Sequence, residues 1–337
     1  LANAEALIET IRPISESVAA IYDRMVDASG SDGPRMADEG LPLEEQLTDL
    51  GYADPAAVMQ RMTRWRSGNI RAIRSPSARD AFEAVLPALL KAIADAPDSD
   101  RAIARFDNMI EAMPSAINVF RLLEARPGLL QLVADILSYA PTLADDLGRQ
   151  SRYLDALIDT SAMDLPGDVS QLLVAMKRRI GTADYQSTLD IVRDYVGEKR
   201  FALGVQLIEG RNDALDIAGS YAHLAEAALQ TLTTATVAEF ERAHGKVPES
   251  ELVILALGRL GGEALTHASD LDLILLFTGD HLAESDGARP LGATQYYNRL
   301  AQRVIASLSV PTASGALYEV DTRLRPSGAD GLLCASV

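Results

Sequence analysis

The chain has 337 residues, 48% of them hydrophobic, and 31 Lys and Arg against 48 Asp and Glu, a net charge of −17. That length supports two sizeable cores, while the acidity (pI near 4.7) repels phosphate backbones and anionic lipid and argues against nucleic acid or a membrane as partner. The single cysteine, Cys334, excludes a disulfide framework or cysteine-ligated zinc and fits a reducing cytoplasm, and no stretch reaches the ~18 uncharged apolar residues of a membrane span.

The opening LANAEALIETIRPISE places two Glu before its first Arg and has no apolar centre, so it does not read as a signal peptide. Its first residue is Leu, and the sequence reads as part of a longer protein. From residue 1 to about 245, Ala, Leu, Glu, Arg and Gln dominate between Pro and Gly punctuation, which predicts helix after helix. Residues 29–42, SGSDGPRMADEGLP, read as a polar surface loop. Pro55 then opens AAVMQRMTRWRSGNIRAI, where Val58, Met62, Trp65 and Ile73 recur at helical spacing and are assigned to a core. Between 80 and 160, three segments place Leu, Ile, Val or Phe at i, i+3, i+4 and i+7, predicting a helical bundle with no strict repeat and no catalytic spacing. Residues 171–245 add at least two helices, the last stopped by Gly245. Amphipathic throughout, the region up to Gly245 is expected to fold by itself.

At Lys246 the texture changes. Two apolar runs, Leu252 to Leu257 and Leu271 to Phe277, flank a Gly-rich turn, as in strands buried on both faces. A polar loop from Gly279 to Pro290 follows, then a helix in ATQYYNRLAQRVIASLSV, then GALYEVDTRLRP, which alternates like a strand stopped by Pro326.

Asp270 and Asp272, two apart in a predicted strand, project from the same face. Two adjacent carboxylates repel, so a divalent cation between them is the natural explanation. Asp321, in a later predicted strand, supplies a third ligand. Strand alternation puts Arg323 and Arg325 on its face, either to neutralise a phosphate group or to pair with the Asp cluster. Upstream, Gly261 and Gly262 follow the first strand and let the backbone approach a phosphate, with Glu263 to Thr266 opening a short helix. Ser269 ahead of Asp270 is grouped with these nucleotide-binding residues. Each feature alone is common in an acidic protein, but their order and spacing together describe a metal-assisted phosphate site. Hard carboxylate oxygens, few in number, favour Mg²⁺. His267 is read as an incidental turn residue, and His223, His244 and His281 show no ligand spacing.

LGRLGGEALTHASDLDLILLF and YYNRLAQRVIASLSVPTASGALYEVDTRLRPSGADGLL together resemble the nucleotidyltransferase domain of the glutamine synthetase adenylyltransferase family. INVFRLLEARPGLLQLVADILSYAP and EKRFALGVQLIEG are similar to the helical region between that family's two catalytic domains, so the resemblance covers most of the chain. Of those domains, one removes AMP from glutamine synthetase by phosphorolysis and one attaches AMP from ATP. The wording here looks like the second. The resemblance implies a DNA polymerase β-like nucleotidyltransferase fold, ATP as substrate, Mg²⁺ on Asp270, Asp272 and Asp321, and phosphate binding at Gly261 and Gly262. It also implies glutamine synthetase and PII-type nitrogen-signalling proteins as partners, in the cytoplasm. One departure is Ala264, where the family usually has Glu; Glu263 stands just before it.

The expected fold class is therefore α+β. A helical bundle or regulatory linker region is expected over 1–170, with a nucleotidyltransferase domain and its lead-in helices over 171–337. Sheet and active site lie in 246–337, and the family's C-terminal helical lobe is absent. Two other readings remain open: the adenylyl-removing reaction at the same site, and a helical docking fragment with no activity of its own.

Overall fold

A computed structural model describes residues 43–96, 98–150, 152–156, 164–312, 314–325, 328 and 331–337. The polar loop expected at 29–42 and the stop at Pro326 lie outside the described residues. Six of the helix starts share one local device: a carboxylate or hydroxyl that accepts a hydrogen bond from a free N–H of the first turn. Asp54 caps Ala57 N at 3.0 Å ahead of Pro55, and Ser75 caps Ala78 N at 3.2 Å ahead of Pro76. Asp168, Asp184 and Asp213 open three later helices in the same way.

The chain divides into two compact units, one ending at Ser138 and one beginning at Tyr139. The first holds helices α1 (Leu43–Asp49), α2 (Pro55–Arg66), α3 (Pro76–Ala94), α4 (Ser99–Ala112), α5 (Ile117–Ala125) and nearly all of α6 (Pro127–Tyr139). Val58, Met62 and Trp65 of α2 are buried as the spacing predicts. Ile73 is buried too, but from a separate 3-10 turn, Arg71–Ile73, because the helix ends at Arg66 and Gly68 turns the chain with φ +77°. Trp65 packs edge-on against Phe82 and Phe106 at 5.8 and 5.4 Å, and Phe82 meets Phe120 at 5.2 Å. Asp107 of α4, only 2% exposed, is satisfied by Trp65 Nε1 and Arg61 Nη1, both at 2.7 Å, and pairs with Arg64.

The second unit begins with α7 (Pro141–Arg149) and α8 (Tyr153–Ala156), then α9 (Val169–Ile180), α10 (Tyr185–Ile208) and α11 (Ala214–His244). As predicted, α11 stops at Gly245. The packing division thus falls ahead of the functional one drawn at 170. Strand β1 (Leu252–Ala256) leads to the one-turn helix α12 (Gly258–Gly261) and to β2 (Leu271–Phe277); α13 (Ala293–Ser309), β3 (Val320–Asp321) and β4 (Cys334–Ser336) follow.

The sheet is small and mixed, built on β2. β1 runs antiparallel to β2, while β3 and β4 run parallel to it, at Leu271–Asp272 and at Leu275–Phe277 respectively. Leu271, Leu273, Leu275 and Phe277 are at most 1% exposed and share one core with Leu172, Leu224, Phe240, Tyr296 and Leu300 from α9, α11 and α13. The helices of residues 169–244 therefore share their core with the sheet, while those up to Ser138 belong to a compact unit of their own. Only β2 approaches the predicted two-sided burial. β1 is an edge strand whose last two residues, Leu255 and Ala256, are exposed. β4, which periodicity did not reveal, is held to α13 by Asn298, whose side chain bonds Cys334 O at 2.9 Å and Leu333 N at 3.0 Å. Burial pushes the Cys334 thiol up to about 12, so the chain's one cysteine is inert packing.

Candidate active site

Parallel pairing of β2 with β3 registers Asp272 opposite Asp321, and registered partners present their side chains on one face. Asp270, two residues before Asp272, joins them by alternation. Leu271 and Leu273 point the other way, into the core. The sheet thus separates three carboxylates on its outer face from a fully apolar inner face. Strand pairing thus brings Asp272 and Asp321 side by side from positions about fifty residues apart, with Asp270 just ahead of β2.

The three carboxylates are not drawn together on one point. Among the described residues, no three His, Cys, Asp or Glu side chains are close enough to hold one ion. Asp321 faces Arg323 instead: it accepts from Arg323 N at 2.8 Å and Nε at 2.7 Å, and pairs with Nη2. Those hydrogen bonds, the side-chain one first, hold the Asp321 carboxyl below the usual carboxylate range. The Asp321 side chain is 14% exposed and that of Arg323 83%, so the guanidinium reaches in from solvent. Asp270 and Asp272 also raise the basicity of Arg323, which places its charge within the field of all three carboxylates.

Alternation does not bring Arg323 there. β3 ends at Asp321, and residues 322–325 form a turn closed by Arg325 N on Thr322 O at 3.3 Å. Arg323 meets Asp321 because the aspartate side chain caps the N–H two residues on, an Asx turn. Arg325 bonds the backbone and hydroxyl oxygens of Thr322, at 3.1 and 3.3 Å, and so secures that turn.

The glycine turn also differs in detail from expectation. Its helix is α12, at Gly258–Gly261, earlier than the Glu263 to Thr266 start; Glu263 sits in a turn with φ +51°. Gly261 N and Gly262 N donate to Leu257 O and Gly258 O at 3.0 and 3.1 Å, so both are engaged within the turn. A Cβ on Gly261 would press on Ala256 O, which accounts for that glycine by close packing. The residue that sequence reasoning missed is Gly258. It adopts φ +53°, and a Cβ there would collide with Asp272 Oδ2, so the backbone lies directly against the carboxylate. The signal available was its position: a glycine immediately after an apolar strand.

Ser269 pins the following loop, its hydroxyl accepting from Thr266 N at 3.0 Å and meeting Thr266 Oγ1 at 2.8 Å. His267 is not incidental to the packing. Its Nε2 lies 2.9 Å from Asp146 Oδ2 of α7, and its ring meets Tyr221 of α11 edge-on at 6.1 Å. Among the described residues, His223, His244 and His281 belong to no group of three or more potential metal ligands.

Asp272 and Asp321 thus stand in register at a paired strand end, with the Gly258 backbone against one and Arg323 beside the other. Residues 130–337 match the family described as glutamate-ammonia ligase adenylyltransferase. The chain belongs to this family. It is 36% identical over 333 residues to the bifunctional glutamine synthetase adenylyltransferase/adenylyl-removing enzyme of Brucella suis, covering 97% of this chain and 34% of that protein. For the Agrobacterium fabrum protein of the same name the identity is 35% over 336 residues, again covering 34% of that protein. The Mesorhizobium japonicum protein is 38% identical over 291 residues, covering 85% of this chain and 29% of that relative. The chain therefore spans about a third of the length of the curated relatives it matches. The mixed sheet with same-face carboxylates fits a nucleotidyltransferase-like fold, and among the described residues no helix is long and apolar enough to cross a membrane.

Proposed function

We propose that this site transfers AMP from ATP to a tyrosine hydroxyl of glutamine synthetase, releasing pyrophosphate. The observation that carries the reading is the register Asp272 to Asp321 with Asp270 on the same face, in a chain of this family. By chemical type the donor set suits magnesium, being three hard carboxylates; Asp321 would have to turn from Arg323 to join the other two, and Gly258 keeps Asp272 clear of side-chain bulk. Bound by Asp270, Asp272 and Asp321, Mg²⁺ would neutralise phosphate charge and favour the ionised form of the attacking hydroxyl.

The chain's own groups supply the rest. Asp321 accepts the hydroxyl proton or shares its charge, as general-base catalysis requires of a carboxylate beside the nucleophile. Arg323, exposed at the surface and already beside the cluster, exchanges its carboxylate partner for the oxygens of the leaving pyrophosphate. Arg325 and Ser269 shape the two loops that flank the nucleotide, and Gly261 and Gly262 let the α12 turn lie close to phosphate. The adenylyl-removing reaction named in the relatives would use the same residues with phosphate as nucleophile. The helical remainder is the natural contact for PII-type signalling proteins, and the setting is cytoplasmic.

With ATP, Mg²⁺ and glutamine synthetase, label from the α-phosphate should appear on the acceptor and label from the γ-phosphate should not. Asp321→Ala should lower turnover by 100-fold or more, roughly the value of a general base, while weakening ATP binding much less. Transfer of γ-label, or turnover within a few-fold of wild type, would rule the reading out.

A further inference from the structure

β2 and β3 pair through only two register positions, Leu271 with Val320 and Asp272 with Asp321, extended by one bond from Leu271 N to Glu319 O at 2.9 Å. So short a ladder leaves the relative placement of the two acidic segments underdetermined. The chain leading into each, residues 262–270 and 314–319, forms no helix or strand, so its carbonyls need partners from elsewhere.

Arg200, in the second half of α10, supplies them. Its Nη1 donates to Leu317 O at 2.7 Å and its Nη2 donates to His267 O. Leu317 lies four residues before Asp321, and His267 three before Asp270. One guanidinium thus bridges the two loops that deliver the carboxylates. The fork is itself held: it lies 4.8 Å from the centroid of the buried Tyr318 ring, and Tyr221 Oη donates to Arg200 O at 3.0 Å. His267 is fixed from its other side by Asp146. Among the described residues Arg200 pairs with no carboxylate, so its planar, two-armed geometry is what this position uses. Lysine, a compact charge without a fork, reaches one carbonyl and leaves the other unmet.

We infer that Arg200 is a positioning residue, bridging the His267 and Leu317 carbonyls so that Asp270 and Asp272 stand at a fixed separation from Asp321 and can share a divalent cation. The inference rests on the metal-site reading above. A residue that only stabilised the fold would shift the melting temperature and leave the affinity of the folded protein for metal unchanged; a positioning residue changes that affinity.

The test measures Mn²⁺ binding to the 337-residue chain by calorimetry, well below the melting temperature, for wild type, Arg200→Met, Arg200→Lys and Asp272→Asn. Arg200→Met is expected to bind Mn²⁺ about 10–100-fold more weakly, the range for groups that orient metal ligands. Arg200→Lys keeps the charge and the stacking on Tyr318, should melt cooperatively, and should still bind several-fold more weakly than wild type. Wild-type affinity in a cooperatively folded Arg200→Lys or Arg200→Met protein overturns the inference while leaving the metal site standing. A wild-type chain that binds no Mn²⁺, or binding that survives in Asp272→Asn, overturns the metal site and the inference together.

Discussion

Gly258 and Arg323 show how single positions set this site. At Gly258 two requirements coincide, a positive φ and no room for a Cβ beside Asp272 Oδ2. Alanine there meets backbone strain of about 1 kcal/mol or more and displaces a carboxylate as well. Gly258→Ala is therefore expected to lose Mg²⁺ and ATP binding at least ten-fold with only a modest fall in melting temperature; calorimetry beside a thermal scan checks it, and unchanged binding would free Gly258 of any role. Arg323 gives a pH signature. It depresses the Asp321 carboxyl in the folded state, so its stabilisation is complete above the ordinary carboxylate value of about 3.9 and fades as pH falls through the lower folded value. The urea midpoints of wild type and Arg323→Gln should differ at pH 7 and converge in acid, once the pH lies well below the ordinary carboxylate value. With the internal cation gone, Mg²⁺ should also bind Arg323→Gln several-fold more tightly. A gap that persists undiminished in acid would mean that Arg323 acts through something other than Asp321.

At the scale of elements, sequence and structure agree where periodicity is long and part where a turn decides. The helices are legible because they keep one apolar face, as α2 and α13 do, and several, α2 among them, begin at a capping side chain. β2 is legible as an apolar run between turn residues, and the structure buries every second residue of it in the core. GALYEVDTRLRP misleads: its alternation continues past Asp321, but the Asp321 side chain captures the Arg323 N–H and ends the strand after two residues. The same local competition between side chain and ladder explains why the arginine lands on the right carboxylate by another route. Gly261 and Gly262 draw the eye as a pair, whereas the lone Gly258 makes the close approach, which only the fold of β1 against β2 reveals. Contacts between distant helices were beyond spacing altogether. Asp107 looks like an ordinary surface acid in SDRAIARFDNMIEAM, yet it joins α4 to Arg61, Arg64 and Trp65 of α2. Asp107→Ala leaves a buried indole N–H and an arginine unmet and should destabilise the first unit by roughly 3 kcal/mol. A urea midpoint within error of wild type would show that those contacts carry no net stability.

For the molecule as a whole, the consequence is where the chain can be cut. Length and composition suggest a helical half and a catalytic half meeting near Gly245, but packing does not follow that line. Leu172, Met176, Val192, Leu224, Leu232 and Phe240, from α9 to α11, close on Leu271, Leu273, Leu275 and Phe277 of β2 and on Tyr296 and Leu300 of α13. Each such side chain contributes about 1.5–3 kcal/mol when buried, against a total domain stability of about 5–15 kcal/mol, so exposing even a few removes the margin. A fragment of residues 139–245 should thus keep helical circular dichroism, bind a hydrophobic dye and melt without a cooperative transition, whereas residues 139–337 should melt in a single step. A sharp, dye-free melt of the 139–245 fragment would mean that the helices need no sheet, and the site would then be an appendage to a self-sufficient bundle. The opposite result would establish that the helices ahead of the sheet are the inner wall of the catalytic unit, so that a substitution on the buried face of α11 reaches the aspartates through β2.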